Sequence, residues 1–130
     1  MAKRGVLYVV WGEYNETVLE RSRQSLARVH PGLPVEIAEL PAGSTLLDKA
    51  RMMELSPFDE TLFLDADTVV LDDLTFGFEQ ARRFALACSI CECPWARRYG
   101  GLSGDMVEYN TGVLFSQTKL NPCSTPGGPA

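Results

Sequence analysis

Two carboxylates separated by one residue, Asp65 and Asp67, form the strongest chemical signal in this sequence. They directly follow the apolar run 61–64, which is typical of a buried strand. Side chains two apart in an extended backbone point to the same side, so we expect both carboxylates side by side at the carboxyl end of that strand. Neighbouring carboxylates repel unless a cation lies between them, and a hard divalent ion such as Mg²⁺ or Mn²⁺ also binds phosphate oxygens. The pair therefore predicts a metal site, with a loop of one capping and one solvated aspartate as the alternative.

The elements that must position this pair alternate between strand and helix signals. Apolar or alternating segments predict the strands 5–11, 35–40, 61–65, 84–88 and 111–115. The alternation predicts an α/β domain with a mainly parallel sheet flanked by helices, because parallel neighbours need crossover connections. Ligands of open α/β sheets bind at the carboxyl ends of the strands, which is where the sequence places the acidic pair.

Three helices are expected between these strands. The first is predicted to begin after Asn15, a capping residue, and to stop at Pro31. His30 at its end is expected to contact the negative end of the helix dipole. The third is a short helix predicted over residues 74–83.

The second helix is predicted to begin at Thr45 and to end at Pro57. Three residues at helical spacing are expected to share its apolar face: Leu46, Ala50 and Met53. This helix directly precedes the strand that ends in the acidic pair.

The excess of acidic over basic side chains excludes some classes of function. The 130 residues carry 17 acidic and 12 basic side chains, which argues against a nucleic-acid binder with its basic stripe. No apolar run approaches the roughly 20 residues of a membrane span, and the first residues do not resemble a signal peptide, so we expect a soluble cytoplasmic protein. The four cysteines are expected to be free thiols, with a metal knuckle as the alternative: Cys88, Cys91, Cys93 and Cys123.

Four segments, in order, resemble the GT-A glycosyltransferases, and especially their retaining, glycogenin-like family. They are residues 11–14 after the first strand, 47–51 on the helix before the acidic pair, 57–69 with the Asp-x-Asp motif, and 109–114 with an aromatic-Asn-Thr-Gly pattern. The matches cover residues 5–116 and are jointly more specific than any one of them. The resemblance implies a Rossmann-like GT-A sheet, the fold of nucleotide-diphospho-sugar transferases.

The resemblance also implies a donor site for a nucleotide-diphosphate sugar, with a UDP-sugar favoured. Asp67 would ligate Mn²⁺ or Mg²⁺, and Asp65 would ligate the metal or hold the ribose, while the ion stabilises the leaving diphosphate. Lys49 would lie near the phosphates or the sugar. The other implied contacts are Val10, Trp11, Gly12 and Tyr14 around the base and ribose, Ala66 within the motif, and Asn110 and Thr111 at the sugar or the acceptor.

Most of these residues also have a structural interpretation. Trp11 and Tyr14 are equally compatible with core and rim packing, and Val10 is expected in the core with only its backbone near a base. Lys49 is equally compatible with an unpaired lysine on a polar helix face. Asn110 is equally compatible with a turn before a strand.

Two further functions fit the same residues. An acidic pair after an apolar strand is also found in haloacid-dehalogenase-like phosphatases, where Asp65 would be the nucleophile, Asp67 the general acid–base and Asp105 part of a later acidic motif. That motif normally opens its domain, whereas two strand–helix units precede it here. The other function is a sugar-nucleotide or metal-binding module without turnover.

The sequence also departs from the family that it resembles. Family members are usually much longer, and many complete the metal site with a late histidine, whereas no histidine follows Asp67 here. We therefore expect a single domain over residues 1–116 that corresponds to the donor-binding half, and a disordered Pro/Gly-rich tail over 117–130. The sequence identifies neither a catalytic residue nor the acceptor. An exposed sheet edge is expected to favour a homo-oligomer.

Overall fold

A computed structural model describes residues 3–91 and 109–117, which form one five-stranded sheet with helices packed on it. The strands are β1 (Arg4–Trp11), β2 (Val35–Leu40), β3 (Glu60–Leu64), β4 (Leu86–Ile90) and β5 (Tyr109–Gln117). The helices are α1 (Glu16–Val29), α2 (Leu46–Lys49), α3 (Met52–Leu55) and α4 (Thr75–Phe84). The predicted α/β class is therefore confirmed.

The sheet is mixed, with the strand order β2-β1-β3-β5-β4. The strand β1 pairs in parallel with β2 and β3, whereas β5 is inserted between β3 and β4 and runs antiparallel to both. The expectation of a mainly parallel sheet is therefore not met at this edge. No helix signal separates the last two strands in the sequence, and a connection without a crossover helix favours antiparallel pairing.

Both faces of the central strands are buried, which explains the nearly continuous apolar sequence of β1. One face packs against α1 and α4, and its strand residues are Val6, Tyr8, Val10, Leu62, Leu64 and Phe115. The opposite face forms a smaller cluster of Leu7, Phe63 and Leu114 with Met52 of α3. This two-sided core holds β3 rigidly up to the residue at which the acidic pair begins.

Local signals predicted α1 correctly. The Asn15 side chain accepts a hydrogen bond from the Val18 N–H at 3.1 Å, as expected for an N-cap. His30 forms the C-cap, and its Nε2 accepts from the Leu74 N–H at 3.0 Å. The histidine therefore ties the end of α1 to the segment before α4, in addition to its position at the helix terminus.

The predicted second helix is wrong in its length and in its buried face. Thr45 does cap α2, with the Asp48 carboxylate accepting from the Thr45 N–H at 2.7 Å, but the chain turns at residues 50–51 and α3 is a separate helix. Leu46 and Met53 are exposed, and Met52 enters the core instead. The turn between the helices changes which residues face the sheet.

The last elements differ from the predictions in their bounds. The helix α4 extends to Phe84 and ends with Ala85 in the left-handed region at φ 69°, so β4 begins at Leu86 rather than at residue 84. The strand β5 is longer at both ends than the predicted 111–115. Most of the predicted tail at 117–130 lies outside the described residues.

Candidate functional site

Asp65 stands at the point where β3 ends. Its N–H donates to the Gly112 carbonyl at 2.9 Å, which continues the pairing of β3 with β5 by one residue. Its Oδ1 forms an ion pair with the Lys49 ammonium group at the end of α2. The side chain of Asp65 is 41% exposed and that of Lys49 is 15% exposed, so the lysine is mostly enclosed while the carboxylate opens to solvent.

The backbone turns directly after Asp65. The Asp65 carbonyl accepts from the Thr68 N–H at 3.2 Å and from the Thr68 hydroxyl at 2.7 Å, and residues 66–67 lie at the tip of the turn. The argument that placed Asp65 and Asp67 side by side on extended backbone is therefore wrong, because the extended conformation stops before the pair. Asp67 is exposed on the turn, and Ala66 packs against the core.

Two residues of β5 complete the surroundings of Asp65. The Asn110 side-chain oxygen accepts from the Gly112 N–H at 2.8 Å. A Cβ atom added at Gly112 would lie 2.9 Å from Asp65 Oδ2 and 3.0 Å from Asn110 Oδ1. The carboxylate and amide oxygens therefore flank a position that has room for hydrogen only.

A β-bulge lies beside this position. Cys88 of β4 is opposite Leu114, whereas the next residue, Ser89, is opposite Asn110. Three residues of β5, numbered 111–113, are thus looped out from the β4 register, while Val113 and Gly112 still pair with residues 64 and 65. Bulges are often found next to functional sites, and this one lies directly after Asn110.

The remaining predicted donor contacts are placed as follows. The Val10 side chain is in the core, so only its backbone is available to a base. Trp11 is half-buried, and Gly12 ends β1 with φ 61°, a conformation that L-residues other than glycine rarely adopt. Tyr14 packs on the core and borders a cavity of about 630 Å³ between α1 and β2. Thr111 is exposed on β5.

The side-chain oxygens near the end of β3 are of the type that binds a hard divalent ion. Asp65 and Asp67 carry carboxylate oxygens and Asn110 an amide oxygen, the ligand types that Mg²⁺ and Mn²⁺ prefer. Within residues 3–91 and 109–117, no group of three or more His, Cys, Asp or Glu side chains is arranged to hold a metal. Mg²⁺ is commonly held by one or two carboxylates with the rest of its shell from water and substrate phosphates, so the residue types at this edge suit such an ion.

Sequence reasoning missed two residues that shape the site. Gly112 lies in the segment 109–114, but only the structure shows that its missing Cβ makes room for two oxygens. Thr68 lies in the segment 57–69, and its hydroxyl donates to the Asp65 carbonyl and closes the turn. The hydroxyl residue directly after Asp67 is a signal that could have identified Thr68, whereas the contact of Gly112 with Asp65 joins two distant segments.

Several other expectations concern residues away from this site. Cys88 and Cys91 are free and half-buried, whereas Cys93 and Cys123 lie outside the described residues. Asp105 of the phosphatase alternative also lies outside them. Among the helices that the structure describes, none is both long and apolar enough to cross a membrane.

Comparisons with known proteins show the fold. No family profile matches the sequence. No curated protein matches it either. Among solved structures, the chain is similar to the galactosyltransferase LgtC in complex with donor and acceptor sugar analogues, with a TM-score of 0.62 and 16% identity over 88% of this chain and 58% of that one. It is also similar to the glycosyltransferase GlyE of Streptococcus pneumoniae TIGR4, with a TM-score of 0.59 and 20% identity over 91% of this chain and 35% of that one.

These two structures share a GT-A-like glycosyltransferase fold with the chain, and this confirms the fold that the sequence motifs implied. The chain spans 58% of the LgtC structure and 35% of the GlyE structure. At 16–20% identity, the structural similarity shows the fold alone and does not identify the reaction.

Proposed function

We propose that this GT-A-like chain binds a nucleotide-diphosphate sugar through a divalent ion, Mn²⁺ or Mg²⁺, and supplies the donor-binding part of a glycosyltransferase of the hexosyl-transferring type. One observation carries the proposal. Lys49, Asp65 and Asn110 come from three separate segments and lie around the carboxyl end of β3, with Gly112 between the two oxygen-bearing side chains. This is the sheet edge at which open α/β folds bind their ligands.

The charges of the site explain how an acidic protein can bind an anionic donor. The chain has a formal charge of -5, and Asp65 and Asp67 alone would repel a diphosphate. A divalent ion bound by the two carboxylates supplies Lewis-acid stabilisation to the diphosphate as it leaves. The acidic pair is thus the part of the chain that recruits the ion.

Lys49 is proposed to orient Asp65 and to face the phosphates. Its ion pair uses Oδ1 of Asp65, which leaves Oδ2 on the side of Gly112 as the oxygen directed toward β5. The lysine is mostly enclosed, so its ammonium group is held in one place rather than sampling solvent. A fixed cation beside the carboxylate lowers the electrostatic cost of bringing a diphosphate to this edge.

Asn110 is proposed to contact the sugar of the donor or the acceptor. Its side-chain oxygen is occupied by the Gly112 N–H, so the turn-forming interpretation of this residue has support. The same hydrogen bond orients the amide NH₂ group, which can donate to a sugar hydroxyl. Thr111 is its exposed neighbour and is proposed to contribute to the same subsite.

The base and ribose are proposed to bind where β1 ends. Trp11 is half-buried, Gly12 turns the chain, and the Val10 backbone is the only part of that residue available to a ligand. Tyr14 packs on the core and borders this region. A UDP-sugar is the proposed donor class.

Calorimetric titration with a panel of nucleotide-diphosphate sugars, with and without Mn²⁺, tests the proposal. We expect binding that requires the ion, is strongest for a uridine donor and is weakened by Asp65→Asn. Glu36→Gln is a matched control, because it removes one exposed carboxylate from β2 at the far edge of the sheet. Metal-independent binding, or equal losses in the two variants, would contradict the proposal.

Turnover separates the enzyme from its alternatives. Release of free nucleotide diphosphate from a bound donor would support a transferase, and binding without release would identify a donor-binding module. Phosphate release from p-nitrophenyl phosphate that is lost on Asp65→Asn would support the phosphatase instead. The cytoplasmic location and the homo-oligomer stay predictions.

A further inference from the structure

Three hydroxyl groups form a hydrogen-bonded chain from the core to the turn that carries the acidic pair. Tyr8 of β1 and Ser22 of α1 are both 0% exposed, and their hydroxyl oxygens are 2.8 Å apart. Ser22 Oγ lies 3.2 Å from Thr68 Oγ1. The Thr68 hydroxyl in turn donates to the Asp65 carbonyl at 2.7 Å.

The proton positions in this chain are determined by its last member. A carbonyl oxygen only accepts, so the single proton of the Thr68 hydroxyl points to Asp65. The Thr68 oxygen must then accept from Ser22, and the Ser22 oxygen must accept from Tyr8. The hydrogen bonds therefore all run in one direction, from the phenol in the core to the turn, and such aligned bonds strengthen one another.

A second serine holds the next part of the same segment. Ser25 Oγ donates to the Ser22 carbonyl at 2.6 Å and accepts from the Val70 N–H at 2.8 Å. The buried polar side of α1 is therefore bonded to the segment 65–70 at two places. No residue of α1 is part of the proposed donor site, yet the helix sets where that segment lies.

The three linked hydroxyl groups are expected to position the turn rather than to stabilise the fold. A phenylalanine, an alanine and a valine would occupy nearly the same volumes as Tyr8, Ser22 and Thr68 without any buried polar group. Replacing all partners of a buried hydrogen bond by apolar groups of similar shape is often nearly neutral for stability. Burial raises the pKa of the Tyr8 phenol, so the phenol stays protonated and can donate.

We propose that Tyr8, Ser22 and Thr68 are positioning residues whose hydroxyl chain holds the Asp65–Thr68 turn in one conformation and thereby sets the geometry of the two carboxylates. The effect on the turn is independent of the proposed function. Only the consequence for metal binding rests on that function.

Amide hydrogen exchange measured by NMR on the full chain tests the effect on the turn. The Thr68 N–H donates to the Asp65 carbonyl, so its protection reports closure of the turn, and the Phe63 N–H in β3 serves as the internal reference. We expect Thr68→Val to lower protection at position 68 relative to Phe63 by about threefold to tenfold, the range for one net hydrogen bond. Thr68→Ser retains the hydroxyl and should restore most of the protection.

The three single variants should rank differently in two measurements. Protection at position 68 should fall most in Thr68→Val, less in Ser22→Ala and least in Tyr8→Phe. The effect weakens with each hydrogen bond that separates the altered hydroxyl from the turn. Thermal stability should instead fall most in Ser22→Ala, which leaves the buried Tyr8 hydroxyl without its partner. A purely structural role predicts the same order in both measurements and would overturn the proposal.

The triple variant Tyr8→Phe, Ser22→Ala, Thr68→Val separates position from folding most directly. It should unfold within a few degrees of the wild-type chain and still lose protection at position 68. Ser56→Ala is the matched control, because it breaks a hydroxyl pair with the buried Thr61 at 2.6 Å that does not touch the turn. Unchanged protection at position 68 in the triple variant, or an equal loss in Ser56→Ala, would overturn the proposal.

Broadening of the Asp67 amide signal by Mn²⁺ reports metal binding in the same samples. If the wild-type chain shows broadening, the Thr68→Val variant should need about threefold to tenfold more Mn²⁺ for the same effect, and Thr68→Ser should not. Equal Mn²⁺ requirements for all three chains would overturn the role of the hydroxyls in metal geometry. Absence of broadening in the wild-type chain would overturn the proposed function, whereas the exchange data would still decide the effect on the turn.

Discussion

The two ends of β3 each carry a carboxylate, and the two are held in opposite ways. At the start of the strand, the Glu60 side chain is 4% exposed and its two oxygens accept from Arg4 Nε at 2.8 Å and Arg82 Nε at 2.8 Å. At the other end, Asp65 has one lysine partner and is 41% exposed. The same strand thus holds one carboxylate enclosed by two cations and one that opens to solvent.

This difference is the one expected between a structural ion pair and the metal-binding group that we propose. The hydrogen bonds from the two arginines use both oxygens of Glu60, and Arg4 also stacks on the Phe78 ring at 4.5 Å, so both oxygens are already engaged within the protein. Asp65 instead is 41% exposed, and its Oδ2 lies against Gly112, where the missing Cβ makes room for this oxygen. Of the two carboxylates, Asp65 is therefore the one that we propose as a metal ligand.

The largest expected effect is a loss of stability on changing Glu60, the enclosed carboxylate at the start of β3. Glu60→Gln should lower the free energy of unfolding by about 3 kcal/mol, because it removes the charge that pairs two arginines from an almost buried position. Urea denaturation measures this loss. Asp67→Asn, which removes an exposed carboxylate, should cost less than about 0.5 kcal/mol, and equal losses in the two variants would erase the distinction between the two ends.

The next effect concerns the open end. Asp67→Asn should weaken Mn²⁺-dependent binding of a nucleotide diphosphate by about 2 kcal/mol, which is about thirtyfold, because the ion loses a charged ligand. The rise in melting temperature caused by nucleotide and Mn²⁺ measures this loss. Glu60→Gln should keep the ligand-induced rise, and an unchanged rise in Asp67→Asn would remove this residue from the set of metal ligands.

A smaller effect is expected at Gly112. Gly112→Ala places a methyl group 2.9 Å from Asp65 Oδ2 and 3.0 Å from Asn110 Oδ1, so both side chains must move and donor affinity should fall about tenfold. Gly43→Ala is the control, because a Cβ there meets nothing within 4 Å. Calorimetry on both variants makes the comparison, and equal affinities would show that the positions of the Asp65 and Asn110 oxygens do not affect donor binding.

The smallest effect is the pH dependence of the enclosed end. The hydrogen bond from Arg82 is the main cause that holds the pKa of Glu60 below its usual range, burial opposes this, and Arg4 adds to the lowering. Stability from a lowered carboxyl pKa is complete above the unfolded-state pKa, about 4.3 for glutamate, and is lost as the pH falls through the folded-state value.

The difference in unfolding free energy between the wild-type chain and Glu60→Gln should therefore narrow as the pH falls below about 4, and only part of it should be lost by about pH 3. Hydrogen bonds from Thr75 also lower the pKa of Asp73, but this group is present in both chains and cancels in the difference. Urea denaturation at about pH 7 and about pH 3 measures the two differences. A gap between the chains that stays constant would show that ionised Glu60 is not what the arginines stabilise.

Local patterns were sufficient for the first half of the fold. The apolar run of β1 and the cap at Asn15 act within a few residues, so both elements lie where the sequence predicted them. The placement of the acidic residues directly after β3 was also correct, since a buried strand and its polar end are both visible in sequence. The roles predicted for the site residues stay predictions.

Other features depended on contacts between distant residues. The split of the second helix and the burial of Met52 follow from packing on the sheet, which helical spacing alone does not contain. The reversed direction of β5 depends on which strands it joins. The partners of Asp65 are likewise 16 positions away at Lys49 or on another strand at Gly112.

The amino-acid order by itself determined that five strands form, the position of β1 and the carboxylate that follows β3, because these depend on short-range preferences. Only the tertiary structure decided which carboxylate is enclosed by arginines, which one keeps a free side, and how the turn between Asp65 and Thr68 is held. Those outcomes depend on electrostatic and hydrogen-bonding partners that the fold brings together from α1, α2, α4 and β5.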